Sequence, residues 1–486
     1  MKKGWKVALG ILILGAISYV FATLYANHKI NEYLTNELLK TEVEVKSVRT
    51  NLLMGTVALE GWMAVGKNKQ NSRINNFEVK GISYYQLLVN DQIDIDELRI
   101  ANFEIYLPLD QVSKSSNDRK VSIKQIVLEN GTISNHKSDT LQSKISRLDL
   151  DVTDVNFNSG NVRKSLEYQI NSIRLDSLFV RMNDFENLNT KGIEINKNEI
   201  SIADLSIKTN KEKSASISRD EVNKDQMSLT ISRIMIKDYG LKLLPEIKFT
   251  AETVSIDSSK FLIKANNNLI RTETVPMYAE LMRTSKIKWN IGQIKINDAL
   301  VSYSEPNSKN TKRGAITFNK INASLTNFHN LEGNGAIKMH TAATFMNSTR
   351  FQTDFSMDPY DKEDSFQWSG SLPTFELPNM NSFVYPVFNI KLKGIVNQYY
   401  FNIYGDRNTY NVDIKIKYDA AKIDFFNQKE NRKTLLSGLT NLLATNDSEG
   451  KLIDQHSTSP RNTKASFFNQ VWVIQRKALI KVFKYE

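Results

Sequence analysis

Few residue combinations in this 486-residue chain have the makings of a reactive site. The five histidines, His28, His136, His329, His340 and His456, are scattered through mostly polar segments. Asp361, Glu363 and Asp364 cluster beside Pro359. Such carboxylates can hold calcium or work as an acid–base pair, but a solvated turn uses the same residues and is the reading we take. Asp149, Asp151 and Asp154 alternate with apolar residues, as expected on the polar face of a half-buried strand. No His-Glu-x-x-His pair, Gly-Lys phosphate loop or Gly-x-Ser-x-Gly elbow occurs. The chain has no cysteine, which removes thiolate chemistry, disulfides and cysteine-based zinc sites. No acid, base and nucleophile converge, so the expected role is noncatalytic, with no catalytic residue, no metal and no cofactor.

What recurs instead is an apolar spacing. In residues 121–133, VSIKQIVLENGTI, apolar side chains sit at Val121, Ile123, Ile126, Leu128 and Ile133. Steps of two are strand periodicity. The step of three is filled by Lys124 and Gln125 and predicts a bulge that returns the next side chains to the same face. Asn130-Gly131 marks a second bulge or a tight turn. The same offsets recur from Ile93, Tyr168, Leu229, Phe249, Trp289 and Ile316, with partial copies from Ser72, Ser143 and Ile200. With 41% apolar residues, chance supplies about five such matches. Requiring polar residues or glycine in the second, fourth and fifth places, as all seven show, lowers that to about one. The copies are too unevenly spaced for a solenoid and fit a meander of long, bent strands.

The elements that must carry this pattern follow. The expected fold is mainly β: an elongated, curved antiparallel sheet forming a groove, with an N-terminal transmembrane helix and C-terminal amphipathic helices. The residues expected to line the groove are Ile93, Ile95, Leu98, Ile100, Val121, Ile123, Ile126, Leu128, Ile231, Ile234, Ile236, Ile291, Ile294 and Ile296. Polar segments at 113–120, 158–164, 210–224 and 307–313 are read as loops between strands. Residues 276–283, PMYAELMR, are read as a short helical turn. A thirteen-residue strand spans about 40 Å, long enough to form a trough when bent.

At the N-terminus, Lys2, Lys3 and Lys6 precede twenty uncharged residues, 7–26. A helix of that length spans a hydrocarbon core of about 30 Å. Its apolar residues are Val7, Leu9, Ile11, Leu12, Ile13, Leu14, Ile17, Val20, Phe21 and Leu24, with Trp5, Tyr19 and Tyr25 as interface anchors. A cleaved signal peptide competes, with Ala16-Ile17-Ser18 as a weak processing site. The retained anchor is preferred because the apolar run continues beyond that site. The lysines then stay in the cytoplasm and residues from about 28 onward lie outside it. Residues 28–40 have a helical rhythm. Net charge is +11, spread along the chain, which suits an anionic membrane surface. The aromatic-plus-basic motifs of nucleic-acid modules are missing, so nucleic acid is not an expected partner.

After the anchor come the alternating strand Glu42-Val43-Glu44-Val45-Lys46-Ser47-Val48 and, past Gly55, the strand Val57-Ala58-Leu59-Glu60-Gly61. Toward the C-terminus stand Trp368-Ser369-Gly370-Ser371-Leu372-Pro373, Leu377-Pro378-Asn379-Met380-Asn381, and 387–394 ending in Gly394. A Gly405-Asp406 turn and a strand ending in Tyr418 follow. This order resembles the AsmA-like family of Gram-negative bacteria, best over residues 350–440 and more loosely over the first 60. Met380-Asn381 stands where that family has Leu-Asn, and the strand before Tyr418 lacks the usual Gly-x-Met start. The resemblance implies one N-terminal helix in the inner membrane, a periplasmic body, and a taco-shaped β-groove engaged in phospholipid traffic and outer-membrane homeostasis.

Four segments result: a cytoplasmic stub and anchor (1–27), a periplasmic β-rich body (28–345), an AsmA-like C-terminal β region (346–430), and amphipathic helices with a polar linker (431–486). In the last, Leu435, Leu436, Leu439, Leu442 and Leu443 make one stripe, and residues 445–464 read as linker. Phe468, Val471, Trp472, Leu479, Val482 and Phe483 make another, with Lys477, Lys481 and Lys484 on a different side. Phe468, Trp472, Leu479 and Phe483 belong either to a membrane-facing helix or to a cap on the sheet. The expected function is lipid handling or outer-membrane assembly by a membrane-anchored periplasmic protein, with phospholipid acyl chains as partner. The alternative is an envelope adaptor whose fully packed β body binds a protein.

Overall fold

The computed structural model describes residues 43–65, 71–107, 119–137, 140–161, 165–209, 225–242, 246–265, 273–307, 312–426 and 447–483. The anchor at 7–26, the helix at 28–40 and the leucine stripe at 435–443 lie outside these residues. The described chain is mainly β, and its strands belong to one large mixed sheet. By compactness it divides into two units, Met1–Met182 with Leu188–Ile202, and Asn183–Asn187 with Ala203–Glu486.

In the first unit, β1 (Val43–Glu44) and β2 (Ser47–Asn51) both pair with β3 (Thr56–Val65). The ladder continues through β4 (Asn71–Lys80) to β5 (Ile93–Leu107), with helix α1 (Tyr84–Val89) between them. Strands β6 (Lys120–Lys137), β7 (Thr140–Asn158) and β8 (Glu167–Arg181) extend it. The short β9 (Glu186–Thr190) and β10 (Ile193–Asn196) and the longer β11 (Glu199–Thr209) follow, β10 lying between β8 and β11, and the division between the units runs through β9 and β11.

In the second unit, β12 (Gln226–Lys242), β13 (Ile247–Lys264), β14 (Ile287–Pro306), β15 (Arg313–His329), β16 (Ile337–Phe345), β17 (Thr349–Met357) and β18 (Phe366–Leu372) pair in sequence. Then β18 and the short β19 (Phe375–Glu376) both pair with β20 (Ile390–Gly405), which leads to β21 (Thr409–Phe425) and β22 (Ile453–Pro460). Helix α2 (Tyr278–Thr284) falls on the expected helical turn, and α3 (Asn381–Phe388) and α4 (Phe467–Phe483) lie further along the chain. Among the described residues, no helix is long and apolar enough to cross a membrane.

The sheet is not purely antiparallel as expected. β5 pairs β6 in parallel, and β13 pairs β14 in parallel. A parallel pair needs a crossover of a dozen or so residues, because the chain must return to the same end. Residues 108–119 and 265–286 supply that length. The expected linker at 445–464 also differs, since it contains β22. The residues at 387–389 finish α3, and Asn389, at φ 56°, makes the left-handed turn into β20. Asn381 holds that turn, donating from Nδ2 to the Leu392 carbonyl (3.0 Å) and accepting at Oδ1 from the Leu392 amide (2.7 Å).

The repeated spacing has a structural meaning. The copy from Ile93 lies on the copy from Val121 residue for residue: Ile93 on Val121, Ile95 on Ile123, Leu98 on Ile126, Ile100 on Leu128 and Ile105 on Ile133. Phe249 lies on Trp289 in the same way, and Val254 on Ile294. The step of three at Lys124-Gln125 leaves the register of β6 unchanged on both sides, because its neighbours make the same step. Register shifts fall instead around Asn130-Gly131 and again at Asn135-His136. Five residues nine places after a copy begins, Asn102, Asn130, Asp238, Ser258 and Asp298, have φ near +50°. Short polar residues tolerate that region best, so the bulge selects them.

Candidate functional site

In-register copies place like on like across the sheet. In the first unit one row runs Leu98, Ile126, Val152, Ile170, and the next runs Ile100, Leu128, Leu150, Ile173. Ile105, Ile133, Ile145 and Leu178 form a third. In the second unit the rows are Ile234, Ile256, Ile296, Ala323 and Ile236, Val254, Ile294, Leu325. Each unit thus presents an apolar sheet face several strands wide.

The fourteen residues expected to line a groove lie on these faces. Ile93, Ile95, Leu98, Val121, Ile123 and Ile126 pack in one cluster, Ile100 and Leu128 in the next, and Ile234, Ile236, Ile291 and Ile294 in a third. Ile296 sits in the row of Ile234. Ile231 is buried and pairs with Ser259. Only Val121, Ile123, Ile231 and Ile291 of the fourteen are buried, and the other ten are half-buried. A face sealed by a second layer would bury such side chains almost fully. Their packing partners are side chains of the neighbouring strands.

The opposite side of the first unit is polar and paired. Arg99 bonds Glu97 and Glu129, and Arg147 bonds Asp176. Gln125 donates to Asp151 (3.0 Å), Asn171 donates to Asp151 (3.2 Å), and the Asn130 amide donates to Asp149 (2.7 Å). The hydrogen bond from the Arg99 guanidinium holds the Glu97 carboxyl below its ordinary value. Asp149 and Asp151 therefore serve as rungs of the polar face, as their spacing implied.

The C-terminal end is built differently. Ile403, Val412, Ile414 and Tyr418 are 0% exposed, in one closed cluster with Ile474, Ala478 and Val482 of α4. The buried stripe of α4 is Val471, Ile474, Ala478 and Val482, spaced three, four and four. On another side, Lys477 donates to Ser459 (3.0 Å) and Lys481 to the His456 carbonyl (2.9 Å). α4 is thus a cap on β21 and β22. Leu479 packs on the core, Trp472 meets Phe383 edge-on with ring centroids 6.5 Å apart, and Phe468 is exposed. The Phe483 side chain lies outside the described residues.

Sequence reasoning missed Phe467, whose ring touches Tyr278, Phe355, Phe366, Trp368 and Tyr410. Those partners come from four other elements, so no local spacing announces them. It also missed Phe103, Leu148 and Leu175 on the first unit's apolar face. The partial copy from Ser143 was the available signal, since Leu148 sits at its third place and only its first is polar.

Asp364 is no solvated turn residue. It is buried, paired with Arg283 and, at 3.5 Å, with Arg407, while Glu363 stays exposed. His329 is buried as well. It accepts the Leu331 amide at Nδ1 (3.2 Å) and meets the Gly335 carbonyl through Nε2 (3.0 Å), which assigns the donor proton to Nε2. His340 and His456 are surface partners of Asp354 and Asp413, and the His136 ring lies by Tyr106. His28 lies outside the described residues. No cluster of three metal-ligating side chains occurs among the described residues. Compared with known proteins, the chain matches no family model and no curated sequence.

Proposed function

We propose that this protein is a noncatalytic lipid-handling protein whose apolar sheet faces hold phospholipid acyl chains. The observation that carries the reading is the partial exposure of ten in-register isoleucines and leucines on faces several strands wide. Contiguous apolar surface of this kind is unfavourable in water unless something apolar occupies it. The strands are long enough for an acyl chain: β6 has 18 residues, about 60 Å when extended. The opposite face, laced with Asp, Glu, Arg and Lys, suits water.

The cellular setting in this proposal is a single-pass inner-membrane protein held by residues 7–26, with the rest in the periplasm. There it acts in lipid transport or outer-membrane assembly. The resemblance of residues 350–440 to the AsmA-like family supports that setting. The competing reading is an adaptor that packs a partner protein on the same faces. The test is to purify the full chain in mild detergent and identify extracted lipid by mass spectrometry. Phospholipid at a fixed ratio to protein, above a detergent-matched control, is expected. A lipid-free protein that retains a stoichiometric protein partner overturns the proposal.

A further inference from the structure

The first unit carries an apolar protrusion that no other element covers among the described residues. The β2–β3 turn leaves Leu53 80% and Met54 72% exposed. Beside it α1 leaves Tyr85 66%, Leu88 80% and Val89 64% exposed, and buries none of its own residues. The two touch through their backbones, the Ile82 amide donating to the Gly55 carbonyl (3.0 Å). Gly55, at φ +57°, must be glycine for this approach, because a Cβ there would lie 2.7 Å from the Ile82 carbonyl oxygen.

From these contacts we infer that the tip inserts into a lipid bilayer surface. No charged residue occurs at 50–59 or 81–90. The nearest charges on its flanks are already paired, Arg49 with Glu60, Lys80 with Glu78, and Arg119 with Asp91. A charged protein partner therefore finds nothing to complement. Three polar side chains of the tip are satisfied within it, while the Thr50 hydroxyl is buried without a partner. Asn51 accepts from the Met54 amide, Ser83 from the Gln86 amide, and Gln86 from the Asn90 side chain. A structure that leaves water for hydrocarbon needs this internal satisfaction, whereas a hydrogen-bonding protein interface does not. Tyr84 and Tyr85, apolar rings with polar ends, fit the headgroup level. The tip leads directly into β5, where Ile93 and Ile95 begin the apolar face, and the Ser83 amide is bonded to the Asp94 carbonyl (3.0 Å). Resting on the acyl-chain reading above, insertion here sets the start of that face against a membrane and makes the tip the place where lipid enters or leaves.

Because the chain has no cysteine, single labels are unambiguous. Full-length Met54→Cys, Leu88→Cys and Asn198→Cys, each with a polarity-sensitive thiol fluorophore, are placed in phosphatidylcholine–phosphatidylglycerol vesicles with and without brominated acyl chains. All three positions are exposed, so the fold is spared. Quenching of about twofold or more at 54 and 88, and none at 198, is expected. Labels at 54 and 88 that stay as unquenched as 198 overturn the inference, whether they report water or a protein surface. Lipid that still co-purifies in that case leaves the acyl-chain reading standing. Quenched tips on a lipid-free protein reject the acyl-chain reading alone.

Discussion

Ile126 and Ile414 are the same side chain on long strands, yet the structure assigns them different surroundings. Ile414 is 0% exposed in the closed cluster that includes α4. Ile126 is half-buried, flanked by Leu98 and Val152 on its neighbours. Truncating a fully buried isoleucine to alanine loses its transfer energy and leaves a cavity, about 2–5 kcal/mol. At Ile126 part of the removed surface already faces water and the gap opens to solvent, so about 1 kcal/mol is expected. Native-state hydrogen exchange reads the two locally, without assuming that the whole chain unfolds as one unit. Ile126→Ala should lower protection in β6 by about fivefold, and Ile414→Ala should lower it in β21 by about a hundredfold. Equal losses at both sites would mean that the β6 face is covered like the C-terminal core, which refutes the open-face argument.

Gly131 lies under the Phe103 ring, so a Cβ there would come within 1.9 Å of it. Gly131→Ala should cost about 1–3 kcal/mol, and the double variant with Phe103→Leu should recover part of that in β6 exchange. Asn330 is 0% exposed and ties α2 to the start of β14: it accepts the Trp289 amide (2.7 Å) and donates to the carbonyls of Met282 (3.0 Å) and Ile287 (2.8 Å). Asn330→Ala strands those buried groups and should cost about 2–4 kcal/mol, measured as lost protection at the start of β14. Burial pushes the Tyr410 phenol up to about 12, above its ordinary value of 10.0. The folded state then binds that proton more tightly than the unfolded state. Its contribution is complete below pH 10 and is lost as pH rises toward 12. Urea unfolding of the C-terminal core should therefore weaken across that window in the parent, and less so in Tyr410→Phe.

The apolar faces were legible because strand periodicity is local: each residue's face follows from its neighbours at two and three places. The bulge residues were legible only in part. Asn130-Gly131 stood out, but Asp238, Ser258 and Asp298 look like ordinary polar positions until their φ is known. Parallel pairing was illegible, since the same pattern serves a strand whichever direction its neighbour runs. β22, IDQHSTSP, escaped because Ile453 is its one apolar residue before Pro460, and its inward place is filled by Ser457, which is 3% exposed. The ion pair of Asp364 joins it to Arg283 across distant sequence, and no spacing encodes such a contact. In α4 the expected stripe shares only Val471 and Val482 with the buried one, which Ile474 and Ala478 complete, while Phe468 is exposed.

On the proposed function, acyl chains lie on the apolar face of β5–β8 and not on its polar reverse. A photoreactive benzophenone amino acid in place of Leu128, on the apolar face, and in a second variant in place of Lys144, on the exposed polar side, tests it in cells. Irradiation followed by mass spectrometry should give phospholipid adducts at 128 and none at 144. Adducts to protein alone at 128, or lipid captured equally at both positions, would contradict it.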